Sequence, residues 1–578
     1  MIGVITVLAR LVGFGRQVVF AHTVGTTCLG TAYTTANMVP NIIYDIVLGG
    51  ALASVVVPVL AGPAGRAGGA GEPGGPGEPA NQIASALLTW TMVLLVPVSL
   101  IVAVAAHPIV SVLLSGASGC PRADLSGVGT RMLIVFAPQV LLYGLAVVLY
   151  GILQSHRRFG APALAPLLSS LVVVGAYAVF GVVGGAYVNR LGSLPPEAEY
   201  LLSGGTTLGV LALVLTAVVP AWRLRVGLRP SLRFPAGIGS RVRKLAIAGV
   251  LTLVAQDASV AVVIVLANRY GASGALVLYG FAWAVFVVPY AVLAVPIATS
   301  TFPELSASSG VGPGSGPRPA PSGGGFDATA AASTRAVLLA SWLGAAALVG
   351  ARVPLAHVFE SHRASAAAVL AVALATFAPG LVGFGLSANL SRVLYARGQN
   401  RAPAVAMSAG WLLVIVADLL IVPFVPGSRV VPALGLGTSI GLTVAGVALL
   451  VLVRRDRGGG ALAGVPRAFL AGLAGCAAGA AAGSAVAAMM PVSGFFPNVG
   501  VSVLVSAVVT AVFAAVVLNL DGGDVRTALG RLRATRVPAA TIQPRPPPPL
   551  GSRSSREPRL AASARTSGCS RLAARPGG

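Results

Sequence analysis

The chain has 578 residues and a formal charge of +24, and 56% of its residues are hydrophobic whereas only 9% are charged. Soluble domains carry about 25% charged residues, so the composition excludes an ordinary soluble protein. The same apolar content excludes disorder for most of the chain. In lipid, helices satisfy their own backbone hydrogen bonds, and each span needs about 20 apolar residues. The sequence therefore predicts an all-α polytopic membrane protein.

Fourteen apolar runs are long enough to cross a bilayer. They lie near residues 2–21, 31–61, 82–106, 128–153, 161–183, 201–221, 244–267, 274–303, 335–351, 364–395, 402–424, 430–453, 466–489 and 496–520. Arginine-rich connections fall on one side, at 156–158, 223–244, 397–401 and 454–457. The positive-inside rule places this side in the cytoplasm, so both chain ends are predicted to be inside.

Three segments are predicted to be unstructured. Residues 62–80 and 305–333 are rich in glycine, proline and alanine, and the tail from 521 is rich in arginine and proline. Segments of this composition cannot bury enough apolar surface to form a core.

The chain also contains an internal repeat. The triplet Phe-Ala-Pro at 136–138 recurs at 377–379, an offset of 241 residues, and a basic loop follows each copy. Tyr33 and Tyr279 each follow a glycine by eight residues, after Gly25 and Gly271. Six predicted spans separate the copies, so both copies have the same topology. Parallel repeats of this kind are typical of two-lobed transporters that alternate access to a cavity between the lobes.

The repeat divides the chain into four predicted regions. Spans 1–6 form an N-terminal lobe at 1–225, and spans 7–12 form a C-terminal lobe at 226–455. Spans 13 and 14 occupy 456–520, and the cytoplasmic tail occupies 521–578.

Ionisable residues inside predicted spans are candidates for a binding site, because such residues are costly in lipid and usually face a cavity or a partner. Arg10 and Arg16 lie in the first span, and a guanidinium presents a rigid fork of donors that suits phosphate. We interpret the two arginines as an anion site, for phosphate or pyrophosphate. The alternative is an internal salt bridge with Asp45 or Asp257, and the two interpretations can coexist. Asp418 is predicted only to pair with a neighbouring helix.

No catalytic constellation is present in the sequence. The five histidines have no matching nucleophile, and there is no Walker-type phosphate loop. The four cysteines lack metal-ligand spacing, and Cys28 and Cys120 are predicted to be unrelated rather than joined in a disulfide. The sequence therefore predicts a protein that is not an enzyme, that has no metal or other cofactor, and that binds no nucleic acid.

Several short motifs resemble one known family. The segment at 9–17 contains Arg-x-x-Gly-Phe-x-Arg, and it is followed by Val-Pro-Asn at 39–41 and Gly-Gly at 49–50. These motifs resemble the MurJ (MviN) family of lipid II flippases, in its actinobacterial branch. That family belongs to the multidrug/oligosaccharidyl-lipid/polysaccharide exporter superfamily. The resemblance covers roughly residues 1–520 and is strongest at the start.

The resemblance implies a flippase of the bacterial plasma membrane that moves the undecaprenyl-pyrophosphate-linked peptidoglycan precursor from the inner to the outer leaflet. Arg10 and Arg16 match the family arginines implicated in binding the head group. Expected partners are the precursor, membrane lipids and cell-wall synthesis proteins. The predicted substrate-binding residues are Arg10, Arg16, Asn41, Asp45, Asp257 and Tyr279.

The sequence departs from the family pattern at several cavity positions. Gln17, Thr31, Tyr44-Asp45 and Ala284 stand where many relatives have charged residues. Three other functions therefore stay open at this point: a flippase for another lipid-linked saccharide, a cation-coupled multidrug exporter, and a membrane scaffold that does not transport. A drug exporter favours an acidic and aromatic cavity, which the two arginines oppose.

Overall fold

The computed structural model describes residues 2–46, 78–116, 119–156, 158–224, 230–232, 238–309, 324–360 and 363–520. Within these ranges all regular elements are helical. The α-helices, in chain order, are α1 (Ile2–Thr23), α2 (Cys28–Asp45), α3 (Glu78–Val104), α4 (Ala106–Leu113), α5 (Arg122–Phe136), α6 (Pro138–Ser155), α7 (Gly160–Val183), α8 (Pro196–Arg223), α9 (Ile238–Tyr270), α10 (Ala275–Pro289), α11 (Val295–Ser308), α12 (Gly324–Gly350), α13 (Arg352–Phe359), α14 (Ala364–Phe377), α15 (Gly380–Ala396), α16 (Arg401–Ile421), α17 (Val430–Arg457), α18 (Val465–Met489) and α19 (Phe495–Leu520).

The helices confirm the prediction of an all-α polytopic membrane protein. In the described ranges, 11 helical stretches are long and apolar enough to cross a membrane, or 12 if the bent pair α14 and α15 counts as one span. These stretches correspond to predicted spans 3–14. Predicted span 1 forms α1, and the described part of predicted span 2 lies in α2; residues 47–61 of that span lie outside the described residues. Neither helix is among the stretches that meet this criterion. The number of fourteen spans and the boundaries of the two lobes stay predictions.

Part of the segment predicted to be unstructured is helical. Residues 324–333 form the first turns of α12, where Phe326 and Ala330 are buried, and Asp327 pairs with Arg457 at 2.8 Å. The sequence prediction failed here because the glycines and prolines at 310–323 obscured the helix-forming alanines that follow them. Residues 78–80 likewise belong to α3, and 305–308 to α11. Residues 62–77, 310–323 and the tail lie outside the described residues.

The internal repeat is visible in the backbone as two matched helix breaks. α5 ends at Phe136 and α6 begins at Pro138, whereas α14 ends at Phe377 and α15 begins at Gly380 with a bend of 44°. Proline has no N–H group and its ring clashes with the preceding turn, so it interrupts a helix at both places.

Glycines bring three helices of the second half into backbone contact. A Cβ atom at Gly383 in α15 would meet the Leu442 carbonyl group and the Thr443 Cα atom of α17. A Cβ atom at Gly441 in α17 would similarly meet the carbonyl oxygen of Gly410 in α16. Small residues permit this close approach, which provides van der Waals packing where lipid weakens the hydrophobic effect.

A disulfide joins α2 to the segment that precedes α5. The Cα atoms of Cys28 and Cys120 are 5.8 Å apart and their sulfurs are bonded, so the prediction of two unrelated cysteines is wrong. The pairing has no sequence signal, because α2 and α5 come together only in the folded bundle. Disulfides persist in oxidising compartments. The bond therefore supports an orientation in which the start of α2 faces outside.

The predicted orientation can be tested by labelling single cysteines in a chain without Cys476 and Cys569. We expect Arg190→Cys to react with an impermeant thiol reagent in intact cells. Arg158→Cys and Pro230→Cys should react only after permeabilisation, because the loop at 223–244 carries seven basic residues that are retained inside. Reaction of the Pro230→Cys variant in intact cells would contradict the orientation.

Candidate functional site

A polar cavity of about 200 Å³ lies among α1, α2, α6, α7, α8 and α10. The polar residues that line it include Arg16, Asn37, Asn41, Tyr143, Tyr177 and Thr206. Along α2 the cavity reaches from Tyr33, about one turn inside the predicted outer end, to Asn41, about two turns further in. It therefore lies mostly in the outer half of the predicted membrane region.

The structure separates the two arginines of α1. Arg16 is half-buried, lines the cavity, and lies within electrostatic range of the Tyr143 and Tyr177 hydroxyls. Arg10 is exposed and lies about 9 Å further along the helix, outside the cavity lining. Among the described residues, neither arginine forms an ion pair. In particular, no salt bridge joins them to Asp45 or Asp257, so the described carboxylates do not neutralise the Arg16 charge.

Three hydroxyl groups form a hydrogen-bonded cluster in the cavity wall. The Tyr33 hydroxyl lies 2.7 Å from the Tyr177 hydroxyl and 2.7 Å from Thr206 Oγ1, and Thr206 Oγ1 donates to the Leu202 carbonyl oxygen at 2.9 Å. The Phe20 ring packs against both tyrosines, with centroid distances of 5.2 Å. We call Tyr33, Tyr177 and Thr206 the hydroxyl cluster. Their mutual bonds fix the positions of the two phenol rings.

Asn41 is held in the cavity by its neighbours. Its Nδ2 donates to the Asn37 carbonyl oxygen at 2.8 Å, and its Oδ1 accepts from the Tyr143 hydroxyl at 3.2 Å. Asn37 Oδ1 is buried and has no hydrogen-bond partner among the described residues. The structure thus brings Asn41 and Arg16 to one cavity, together with Asn37 and Tyr143, which sequence reasoning missed.

The predicted carboxylates lie outside the cavity lining. Asp45 ends α2, about one turn beyond Asn41 toward the predicted inner side, and it is half-buried. Asp257 on α9 is only 2% exposed, and its Oδ2 has no hydrogen-bond partner in the described part of the chain. The two carboxylates lie within electrostatic range of each other. Neither carboxylate forms a salt bridge with Arg16 among the described residues.

Tyr279 lies in a separate buried cluster of the second half. It hydrogen-bonds Thr438 and packs against Phe377, with ring centroids 5.6 Å apart. Asp418 is completely buried beside it, and neither carboxylate oxygen of Asp418 has a hydrogen-bond partner among the described residues. Tyr279 does not line the cavity that contains Arg16.

This second cluster is the repeat copy of the hydroxyl cluster. Tyr33 contacts a threonine of α8 and the Phe136 ring, as Tyr279 contacts a threonine of α17 and the Phe377 ring. Asp418 stands 241 residues after Tyr177, the same offset as the Phe-Ala-Pro triplets. The repeat therefore extends to side-chain contacts, with a carboxylate in one copy where a phenol stands in the other.

Hydrogen bonds join the two halves of the protein on the predicted outer side of the cavity. Arg363 donates through Nη1 to the Thr26 carbonyl oxygen at 2.6 Å and to its hydroxyl at 3.3 Å. His22 Nε2 donates to the Val358 carbonyl oxygen at 3.0 Å. These bonds join the end of α1 and the turn that follows it to the end of α13 and the residue before α14.

A glycine turn completes this contact between the two halves. Gly274 has a φ of 81°, its N–H donates to the Thr31 hydroxyl at 3.2 Å, and a Cβ atom there would collide with Thr26. Nearby, Asn268 Nδ2 donates to Thr35 Oγ1 at 3.0 Å. The left-handed conformation and the close approach both require glycine at position 274.

Glu360 makes the stability of this region depend on pH. Burial raises the pKa of Glu360 from 4.5 to about 7, although a Thr26 hydrogen bond and the Arg363 charge oppose the shift. Because the pKa of Glu360 is raised in the folded chain, its contribution to the free energy of unfolding is complete at pH values below its pKa in the unfolded chain. That contribution is lost as the pH rises through about 7. We expect the melting temperature to fall between about pH 5 and about pH 8. Over the same range the free energy of unfolding should fall by up to roughly 3 kcal/mol.

The Glu360→Gln variant should lose this part of the pH dependence, because an amide does not ionise. Glu197→Gln, at an exposed position in the first turn of α8, is the matched control and should keep it. Identical melting profiles for Glu360→Gln and the unchanged chain would contradict the assignment.

The repeat, the apolar helices and the polar cavity among them together define a helical membrane transporter. Residues 20–514 match the family model described as "Lipid II flippase MurJ", and the chain belongs to this family. It is therefore a multi-pass protein of a bacterial membrane. The family model confirms the resemblance that the motifs of the first 60 residues indicated.

Individual relatives agree with this family. The chain is 25% identical to "Lipid II flippase MurJ" of Burkholderia cenocepacia over 475 residues. This alignment covers 78% of this chain and 82% of the relative. It is 26% identical to "Probable lipid II flippase MurJ" of Synechocystis over 239 residues. This alignment covers 40% of this chain and 41% of the relative. The solved structure "Lipid II flippase MurJ, inward closed conformation" has the same fold, with a TM-score of 0.67, 16% identity, and coverage of 90% of this chain and 98% of that one.

Proposed function

We propose that this chain moves the undecaprenyl-pyrophosphate-linked peptidoglycan precursor, lipid II, from the inner to the outer leaflet by alternating access. One observation carries the proposal beyond family membership: Arg16, with no carboxylate partner among the described residues, lines a polar cavity, and hydrogen bonds join the two halves of the protein on the predicted outer side of that cavity. An unneutralised guanidinium in such a cavity attracts an anion, and its fork of donors matches two phosphate oxygens.

The geometry supports a sequence of steps. The head group enters from the inner side, where exposed Arg10 meets the pyrophosphate first. The pyrophosphate then moves along α1 to Arg16, while the polyprenyl chain stays in the lipid. The inner side closes, the bonds from Arg363 to Thr26 break, and the head group leaves outward. No covalent bond changes in this cycle, as expected for a transporter rather than an enzyme.

The remaining predicted site residues have different proposed roles. Asn41 orients the Tyr143 hydroxyl beside the bound head group. Asp45 lies about one turn further toward the inner side than Asn41, and we propose that Asp45 and Asp257 pair with the arginines in another state of the cycle. Tyr279 belongs to the second repeat cluster, and we propose that it acts by holding that half of the protein in shape.

The cavity lining does not favour the alternative functions. No carboxylate lines the described cavity, whereas an exporter of cationic drugs favours acidic groups. A scaffold needs no polar cavity of this kind. A flippase for another lipid-linked saccharide has the same chemistry at Arg16, so only the identity of the accumulated lipid separates it from the proposed function. Cell-wall synthesis proteins that consume the precursor outside are proposed partners.

Depletion of the protein in its native host tests the proposal. We expect lipid II to accumulate and to stay shielded from a probe that is added outside the cells. Re-expression of the unchanged chain should restore exposure. Accumulation of a different lipid-linked saccharide, with lipid II exposed normally, would contradict the proposed substrate.

A further inference from the structure

A second cavity lies in the second half of the chain, apart from the cavity that contains Arg16. It is an open groove of about 390 Å³, and its lining comes from α14, α16, α17 and the turns that join α16 to α17. None of its lining residues also lines the Arg16 cavity. The groove is therefore a separate candidate binding site, and an inference from it does not depend on the proposed function.

The groove is apolar and opens toward the lipid. α17 packs against both α14 and α16, which leaves a groove between those two helices. Val372 and Leu436 in its lining are 52% and 41% exposed, so they face the surrounding membrane. Thr376 lies at the deep end, where its hydroxyl donates to the Ala373 carbonyl oxygen at 2.9 Å and is not free for a ligand. The deep end therefore presents apolar groups.

The groove begins at the predicted outer head-group level. Ser428 and Arg429 lie at its mouth, in the turn just before α17. A Cβ atom at Gly427 in this turn would lie 3.3 Å from the Tyr270 carbonyl oxygen, and tyrosines are enriched at membrane–water interfaces. Thr376, at the other end, lies about 18 Å along α14 from the first residue of that helix. One leaflet contributes about 15 Å of hydrocarbon, so the groove matches one acyl chain in length.

The mouth of the groove carries a positive charge. Arg429 is exposed and forms no ion pair among the described residues, and no carboxylate lines the described groove. Lipid tails are as apolar as the groove, so an apolar fit alone does not select one lipid over another. Selection must come from the head group. A guanidinium binds phosphate oxygens and is attracted to head groups with a net negative charge.

We propose that this groove binds an anionic phospholipid of the outer leaflet. The lipid phosphate pairs with Arg429, the Ser428 hydroxyl donates to a head-group oxygen, and one acyl chain lies against Val372 and Leu436. The volume of about 390 Å³ equals roughly thirteen liquid-water volumes, and a methylene group is about as large as a water molecule, so the space suits most of one acyl chain. A zwitterionic lipid fits less well, because its ammonium group is repelled by Arg429.

The test is native mass spectrometry of the purified full-length chain with equal amounts of phosphatidylglycerol and phosphatidylcholine that carry the same acyl chains. We expect the unchanged chain to retain phosphatidylglycerol about 5-fold more than phosphatidylcholine. Arg429→Gln should abolish this preference, because glutamine stays polar and loses the charge. Val372→Trp should also abolish it, because the indole ring occupies the groove while Arg429 stays in place. Both changes are at exposed positions, so the melting temperatures should stay unchanged.

Two control variants locate the effect. Arg190→Gln removes an exposed arginine from another outer loop, and Val179→Trp adds an indole ring at a valine of α7 that is 51% exposed, against 52% for Val372. Both controls should keep the preference. Equal retention of the two lipids by the unchanged chain, or an unaltered preference in either Arg429→Gln or Val372→Trp, would overturn the site. Preferential retention of undecaprenyl phosphate over phosphatidylglycerol would contradict a phospholipid as the occupant.

Discussion

Arg16→Ala is expected to abolish transport while the protein still inserts into the membrane. Loss of a bidentate pair to phosphate removes two charge-assisted hydrogen bonds, worth roughly 3–6 kcal/mol, which corresponds to a loss of about 10² to 10⁴ in binding. Because no described residue forms an ion pair with Arg16, the Arg16→Ala variant leaves no described carboxylate without its cationic partner. Arg16→Lys should restore only part of the activity, since lysine keeps the charge and loses the fork.

The measurement is complementation of a depleted host, run beside a melting curve of each purified variant. Arg190→Ala, which removes an exposed arginine from a loop, is the matched control and should complement fully. Full complementation by Arg16→Ala at normal protein level would contradict the anion site. A large fall in melting temperature would instead indicate a structural role for Arg16.

Gly383→Ala is expected to prevent formation of a stable bundle. The added Cβ atom would collide with the backbone of Leu442 and Thr443, and backbone atoms cannot rotate away as a flexible side chain can. Overpacking costs typically 1–3 kcal/mol, and we expect roughly 3 kcal/mol or more here because α15 and α17 must separate. The check is the yield of folded protein and its melting temperature in detergent.

Gly175→Ala provides the matched control in the middle of α7. This glycine is exposed, and a Cβ atom there would meet nothing within 4 Å. Alanine also favours the helix, by up to roughly 1 kcal/mol. The control should therefore melt at or above the temperature of the unchanged chain. Equal melting temperatures for the two alanine variants would show that α15 and α17 are not packed through Gly383.

The membrane-spanning helices could be predicted from sequence because the signal is local. A run of about 20 apolar residues is sufficient to identify a span. The two helix breaks at the Phe-Ala-Pro triplets were not predicted, although proline chemistry explains them once the structure is known. The first turns of α12 were not predicted, because the prediction depended only on local composition. Its alanines follow a glycine- and proline-rich segment, and the buried contact of Phe326 that stabilises the helix comes from elsewhere in the fold.

The candidate site was only partly predictable. Arg16 and Asn41 lie on α1 and α2 close to motifs that the family resemblance identified, and both line the cavity. Tyr143 and Tyr177 come from α6 and α7, and nothing in a single sequence indicates that these phenols face Arg16. Polar side chains in different helices converge only when the bundle packs.

The contacts between the two halves on the predicted outer side had only a weak signal in the sequence. The matching glycines of the repeat, Gly25 and Gly271, marked the two turns that meet there, but the contact itself was not predicted. The disulfide had no usable signal, since 92 residues separate Cys28 from Cys120. Such long-range pairs depend on the tertiary arrangement of helices rather than on spacing along the chain.

We propose that this chain carries lipid II across a bilayer by means of Arg16. The most direct test is reconstitution of the full-length chain into liposomes that contain fluorescent lipid II, with an impermeant enzyme added outside that modifies only exposed precursor. We expect the unchanged chain to expose the protected inner-leaflet pool, and liposomes with the Arg16→Ala variant to behave as protein-free liposomes do. Exposure by the Arg16→Ala variant at the rate of the unchanged chain would contradict the role of Arg16. Failure of the unchanged chain to expose more precursor than protein-free liposomes would contradict the proposed transport.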